Sequence, residues 1–235
     1  MNLRILSPPS WSISINLAKW ASKLGIPLAS TQPIKGIIIV GNGIPDDIIC
    51  LILAHKFNGK HIMGITKPQK LGIDSIHPAL ELIKDEKIKN LMLIIDQEEN
   101  KLSELWEKIE ERFKEKGMKC KIIKKEERLH IYECFYNDYK FNALIILNGL
   151  DKPYLKHTIE DHLLEFSKEL NKEIILDKNI NPKEIWRKLK DKHQDIYSNL
   201  LKHGKEKIEL FFPQHVKAFN FLKQIFENSR SLKIN

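Results

Sequence analysis

Cysteine is scarce in this sequence. The 235 residues include only Cys50, Cys120 and Cys134. They are odd in number, fall in separate expected elements and form no CxxC pair, so a disulfide framework and a zinc knuckle are not expected and a reducing, intracellular setting is. Long apolar runs are also missing. The longest, such as 37–40 and 91–95, fall far short of the roughly 20 residues that span a bilayer. Residues 1–10 lack a signal-peptide layout. The expectation is a soluble, unprocessed, cytoplasmic protein with no membrane partner. No internal repeat, low-complexity linker, GxSxG elbow, HExxH helix or Walker A loop occurs, and hydrolases of those types are not expected.

A chain of this length buries a core without staples, so one elaborated domain, or one domain with a helical appendage, is expected. Lys and Arg number 39 against 31 Asp and Glu, for a formal net charge of +8. That balance attracts polyanions. The acids are interspersed with lysines along helices, however, and a Lys-, Ile- and Glu-rich composition also suits a heat-tolerant charge network.

The apolar pattern divides the chain into 1–33, a helical extension; 34–170, an α/β core; and 171–235, a helical segment packing on the core. In the first, Ile13, Leu17, Trp20 and Leu24 recur at steps of three and four after a Ser10 cap. In the second, strands and amphipathic helices alternate. Strands are expected at 37–40, 61–66, 91–95 and 119–123, with helices at 46–57, 78–85 and 102–116 between them. Such alternation predicts a mainly parallel sheet with flanking helices. Strands at 129–135 and 142–147, joined by an Asn137-Asp138 turn, extend it. Helices over 158–170, 182–193 and 213–226 complete the chain, the last two opened by prolines suited to a first turn.

In open α/β sheets the ligand crevice lies beyond the carboxyl ends of the strands. There stand Gly41-Asn42-Gly43 with Asp46 and Asp47, then Thr66, then Asp96-Gln97-Glu98-Glu99, then Asn148-Gly149. Carboxylates on adjacent strand ends are what a hard cation such as Mg²⁺ requires. The plainer explanation is that Asp46 and Asp47 stabilise a helix N-terminus and the Asp96 group is a solvated loop. Gly41, Asn42 and Gly43 also form a turn whose backbone N–H groups suit a phosphate. The densest ligand cluster is 157–162. His157 and Asp161 share a helix face there, while Thr158 and Asp161 have the spacing of a capping box. Basic stretches at 119–128 and 183–192 suit a nucleic-acid backbone. The second has Ile185, Trp186 and Leu189 facing inward, which is also the pattern of an ordinary solvated helix. Trp20, Trp106 and Phe219 read as core, and Cys120 lies inside a strand.

The stretch from Ile38 through Gly41, Asn42 and Gly43 to Asp46 and Asp47, with the later strand ending in Asp96-Gln97-Glu98, resembles the topoisomerase-primase (Toprim) pattern. That pattern is a hydrophobic strand closed by Glu-Gly, then a later strand closed by Asp-x-Asp. Thr158-Ile159-Glu160-Asp161 after Asn148-Gly149 is similar to an element of archaeal and bacterial Toprim-related proteins of unassigned function. The resemblance spans residues 34–170. It departs from the pattern at Asn42, which stands where the family has its glutamate, and at Glu98, which lengthens the second motif. No tyrosine is marked as a strand-cleaving nucleophile, so a topoisomerase is excluded.

The resemblance implies a Toprim-like α/β protein that binds nucleic acid or a phosphorylated ligand through Mg²⁺. Asp46, Asp96, Glu98, Glu160 and Asp161 would be the metal ligands, and Asp96 with Glu98 the catalytic pair of any phosphodiester hydrolysis. Two alternatives stay open. One is a catalytically inactive scaffolding module. The other is a nucleotide-binding protein using Gly41, Asn42 and Gly43.

Overall fold

The computed structural model describes residues 3–6, 15–41, 43–70, 72–170 and 180–231. Seven strands form one sheet: β1 Leu3–Ile5, β2 Gly36–Ile39, β3 Met63–Thr66, β4 Asn90–Asp96, β5 Lys119–Glu126, β6 Leu129–Tyr136 and β7 Tyr139–Asn148. The order across the sheet is β1-β3-β2-β4-β7-β6-β5. β1, β3, β2, β4 and β7 run parallel, and β6 and β5 continue antiparallel. The helices are α1 Ile15–Lys23, α2 Ile44–Phe57, α3 Ile76–Asp85, α4 Leu102–Glu115, α5 Ile159–Leu170, α6 Pro182–Lys188, α7 His193–Lys202, α8 Lys205–Phe211 and α9 Pro213–Ser231. Among the described residues no helix is long and apolar enough to cross a membrane. The α/β class with a mostly parallel sheet and flanking helices is therefore seen directly.

Side chains of successive strand residues point to opposite faces, so a strand covered on both sides reads as an unbroken apolar run. Ile37 and Ile39 of β2 join Leu91, Leu93 and Ile95 of β4 in a core closed by α3 and α4. Ile38 faces the other way, with Met92, Ile94, Leu144 and Ile146, into a larger core closed by α1, α2, α5 and the C-terminal helices. α2 runs between sheet and outer helices, and ten of its residues are buried. Its middle, 48–54, is apolar all round because that stretch is buried on every side.

Four departures from the sequence expectation have physical causes. Segment 1–33 supplies a strand as well as a helix, since β1 pairs with β3 at the sheet edge, and Leu17 and Ala21 of α1 sit in the larger core. Ser10 and Asn42 lie outside the described residues. Second, β5 is not the fourth strand of a parallel alternation. Among the described residues it pairs only with β6, antiparallel, and β7 takes the place beside β4. The β6–β7 turn at Asn137 and Asp138 has positive φ at both residues, 46° and 62°, which is the twist a two-residue hairpin needs. Third, the hairpin register sets Cys120 opposite Cys134, and the two form a disulfide. Separate strands are no obstacle to a bridge when they are neighbours, and the expectation of no disulfide is corrected; Cys50 is free and buried.

The helix expected over 182–193 is likewise broken. α6 stops at Lys188, a 3-10 turn spans Lys190–Lys192, and α7 starts at His193. His193 Nε2 lies 2.9 Å from the Trp186 carbonyl oxygen, and its ring stacks on Trp186 at 4.0 Å. That folds α7 back beside α6.

A carboxylate cluster at the carboxyl edge of the sheet

β2, β4 and β7 are neighbours, so their carboxyl ends open on one place. Asp96 ends β4 and stands in register with Asn148, the last residue of β7. β2 leads through Gly41 and Gly43 into α2, whose third residue is Asp46. The Gly43 N–H donates to Asp46 Oδ2 at 3.0 Å, the side-chain half of a helix capping box. Gly41 allows this approach, since a Cβ there would lie 3.1 Å from Asp46 Oδ1. α5 brings Glu160 to the same place.

Asn148 ties two of these acids together. It is wholly buried, and its Nδ2 donates to Asp46 Oδ1 and to Asp96 Oδ1, each at 2.8 Å. With both amide hydrogens used, Oδ1 is left as acceptor, and it receives the His215 Nε2–H at 2.8 Å. That proton leaves His215 Nδ1 bare, and it is buried without a hydrogen-bond partner. Burial, with His162 adding to it, lowers the His215 pKa well below the ordinary histidine value.

The third acid is the least satisfied. Glu160 is 6% exposed, and its Oε2 is buried with no hydrogen-bond partner. A buried carboxylate oxygen left without a donor is costly unless a proton or a cation joins it. The pKa directions agree. Burial raises Asp46 well above the usual carboxylate range, and Asp96, Glu160 and Asp47 add to it. Burial also raises Asp96, against Lys183 and the Asn148 amide, and it raises Glu160, against the Thr158 hydroxyl and with the charge of Asp96 adding to it. Asp47 is pushed up by burial to about 6 despite Lys67, whose Nζ is 3.4 Å from its Oδ1.

One cation reaches the cluster from the far wall. Lys183 Nζ is 3.4 Å from Asp96 Oδ2 and 2.5 Å from Glu98 Oε1. Burial alone would lower its pKa, but Asp96, Glu98 and Glu160 outweigh burial and hold it above the ordinary lysine value. Its position is built: Asn181 caps α6 by accepting the Lys183 N–H at 3.2 Å, and the Leu155 N–H donates to the Ile180 carbonyl at 3.0 Å.

The acids form the floor of a cavity of about 510 Å³. Lys183 and the exposed Arg187, one turn apart on α6, lie on its wall beside Trp20, Trp186, His193 and Tyr197. These rings are continuous: Trp20 meets Tyr197 edge-on at 5.1 Å, and Tyr197 meets Trp186 at 5.7 Å. The cavity thus combines buried negative charge, an aromatic wall and two cations.

Of the other sequence candidates, Gly43 lines the cavity, and Glu98 and Asp161 are not part of its lining. Asp161 is fully buried with both oxygens occupied. Oδ1 accepts the Thr158 N–H at 3.2 Å, and Oδ2 accepts the Leu150 N–H at 3.2 Å and meets His157 Nδ1 at 3.0 Å. This is helix initiation plus loop fixing. Glu98, at φ 55°, stands at the rim between Lys183 and Lys156, whose Nζ is 3.7 Å from its Oε2. His162 accepts the Gly149 N–H on Nε2 at 3.1 Å, so its Nδ1 holds the proton and donates to the Phe211 carbonyl. Burial keeps it neutral, with a pKa lowered to about 4.

Sequence reasoning placed Asn148 at the crevice, as a polar residue closing an apolar strand, but gave it no role, and it missed His215, Lys183, Arg187 and the aromatic wall as parts of one site. Trp20, Trp186 and Tyr197 carried no signal, since they come from helices far apart in sequence.

Comparison of the chain with protein-family models, curated proteins and solved structures gives no match.

Among the described residues no group of three or more His, Cys, Asp or Glu side chains is placed so that it could hold a metal ion. The donor set at the cavity floor is of the type that hard cations take. It consists of oxygens alone on rigid strand and helix ends, with one acceptor unpartnered and an ammonium standing on Asp96.

Proposed function

We propose that the protein binds a small phosphorylated ligand, with a planar ring or other apolar portion, through a divalent cation at Asp46, Asp96 and Glu160. The observation that carries this reading is the unpartnered Glu160 Oε2 beside two carboxylates that one amide holds together. Such a cluster calls for a cation, and a hard cation on carboxylates keeps positions open for phosphate oxygens. Lys183 and Arg187 supply further contacts for the phosphate, and Trp20, Trp186 and Tyr197 a surface for the rest of the ligand. A nucleotide has both parts.

The Toprim resemblance belongs to this reading. Its first motif lacks the acid at Asn42, but Asp46 on the following α2 offers one, and β2, which leads into α2, pairs with β4, whose end carries Asp96 of the second motif. In such a site the cation would offset charge on phosphate. Asp46, Asp96 and Glu160 hold it, while Asn148 fixes the first two. Of the five expected ligands, Glu98 and Asp161 drop out of this set, and Asp46, Asp96 and Glu160 remain. A recessed cavity with an aromatic wall favours a small ligand over a nucleic-acid strand.

The absence of a preassembled ligand set favours one competitor, an inactive module in which Lys183 permanently neutralises the acids. Thermal unfolding with ADP, ATP and inorganic pyrophosphate, each with and without Mg²⁺, separates the two. A metal-dependent rise with at least one of these, lost in Glu160→Gln, supports the ligand site. No rise with any of them supports the inactive module.

A further inference from the structure

We propose that Lys183 is the resident counter-ion of the carboxylate cluster, that an incoming divalent cation displaces its ammonium from Asp96, and that the freed ammonium then holds the ligand's phosphate. This rests on the cation reading above and adds an order and a partner switch to it.

The argument begins with charge. Three acids face one cavity floor, and two of them are bridged by Asn148. Lys183 is their positive neighbour in this state, 3.4 Å from Asp96 Oδ2. Asp96 Oδ1 already accepts from Asn148, so Oδ2 is the freer oxygen for a divalent cation, and it is the oxygen that the ammonium faces. Ammonium and metal therefore compete for Oδ2, and like charges at that separation repel.

The displaced ammonium has somewhere to go. Its stem is long and flexible, and it starts from a capped helix end pinned by the Ile180 carbonyl. Its other partner, Glu98, lies at the rim, and Arg187 stands one turn further along the same wall. A phosphate oxygen bound to the metal would meet both cations. Binding of metal and binding of phosphate are then coupled: each removes a cost that the other would pay alone.

The test is calorimetric titration of the full chain with Mn²⁺, alone and with inorganic pyrophosphate present. The proteins are the wild type, Lys183→Met, Lys183→Gln and Lys156→Met, with folding of each checked by circular dichroism. Lys156 touches Glu98 and Glu99 but not Asp96, so its variant should behave as wild type. Wild type should bind Mn²⁺ more tightly when pyrophosphate is present. Both Lys183 variants should bind Mn²⁺ alone about tenfold more tightly or better, and should lose most of the gain from pyrophosphate. Lys183 variants that bind Mn²⁺ as wild type does, or more weakly, overturn the displacement while leaving the cation site standing. Absence of Mn²⁺ binding in every protein overturns both.

Discussion

Replacing Asn148 by alanine should be among the most damaging single changes to this protein, although the residue carries no charge and lies on a strand end. Its amide makes two hydrogen bonds to carboxylates at 2.8 Å and accepts a third from His215 at the same distance. A bond to an ionised group contributes about 1.5–3 kcal/mol. Partial protonation of these acids, whose pKa values are raised, puts the sum toward the lower end. Removing the amide also leaves Asp46 Oδ1, Asp96 Oδ1 and the His215 N–H buried without their partner. The expected cost is about 3–5 kcal/mol, a large share of the 5–15 kcal/mol typical of a whole domain. It corresponds to a fall in Tm of roughly 10 °C at this chain length. Urea unfolding of wild type and Asn148→Ala, followed by tryptophan fluorescence and circular dichroism together, measures it.

The pH dependence of that cost is a second readout. Without the amide, the folded-state pKa values of Asp46 and Asp96 rise further, so the variant gains more than wild type from acidification. The deficit should therefore widen as pH increases from 5 to 8. A cost below about 1 kcal/mol, or one that does not change with pH, would refute the clamp.

Two further outcomes are expected. Gly149→Ala should destabilise by about 2–4 kcal/mol, because Gly149 has φ +123° and its added Cβ would come 2.5 Å from His157 Cβ; thermal unfolding checks this, and a neutral substitution would contradict the packing of β7 on the 157–161 turn. His162 gives a pH signature of the opposite sign to the acids. Its folded pKa, about 4, lies below the unfolded value of 6.5. Its contribution is therefore complete above 6.5 and drains away as pH falls toward 4, by up to about 3 kcal/mol. Asp47, raised to about 6, works in the other direction over part of that range. The difference between wild type and His162→Gln, in the stability lost from pH 7 to pH 4.5, isolates the histidine.

How much of this was legible follows from where the signals lie. β2 and β4 announce themselves because both faces of each are buried, so every residue of Ile37, Ile38 and Ile39 must be apolar. The α/β class came with them, and so did the acids at their carboxyl ends, because strand-end residues have a known place. Strand order is different: nothing local to β5 tells it to pair antiparallel with β6, and the consequence, Cys120 against Cys134, is a fact of register. The break after α6 depends on His193 stacking on Trp186, a contact between residues seven apart that helical periodicity does not foresee. The cavity wall depends on α1, α6 and α7 converging, and the residues that make it look like core residues because most of each ring is indeed packed. Asp161 has the sequence look of a ligand and the structural job of a cap. Glu160, its neighbour, has no such job.

The most direct test of the carboxylate site is thermal unfolding of wild type, Glu160→Gln and Asp96→Asn with increasing Mn²⁺. A cation bound only by the folded chain stabilises it by about 2.7 kcal/mol at a hundredfold excess over Kd, or roughly 5–10 °C in Tm for a chain of this size. The expected result is a rise of that order in wild type that is absent or much reduced in both variants. No rise in wild type, or an equal rise in all three, would contradict a cation site at Asp46, Asp96 and Glu160.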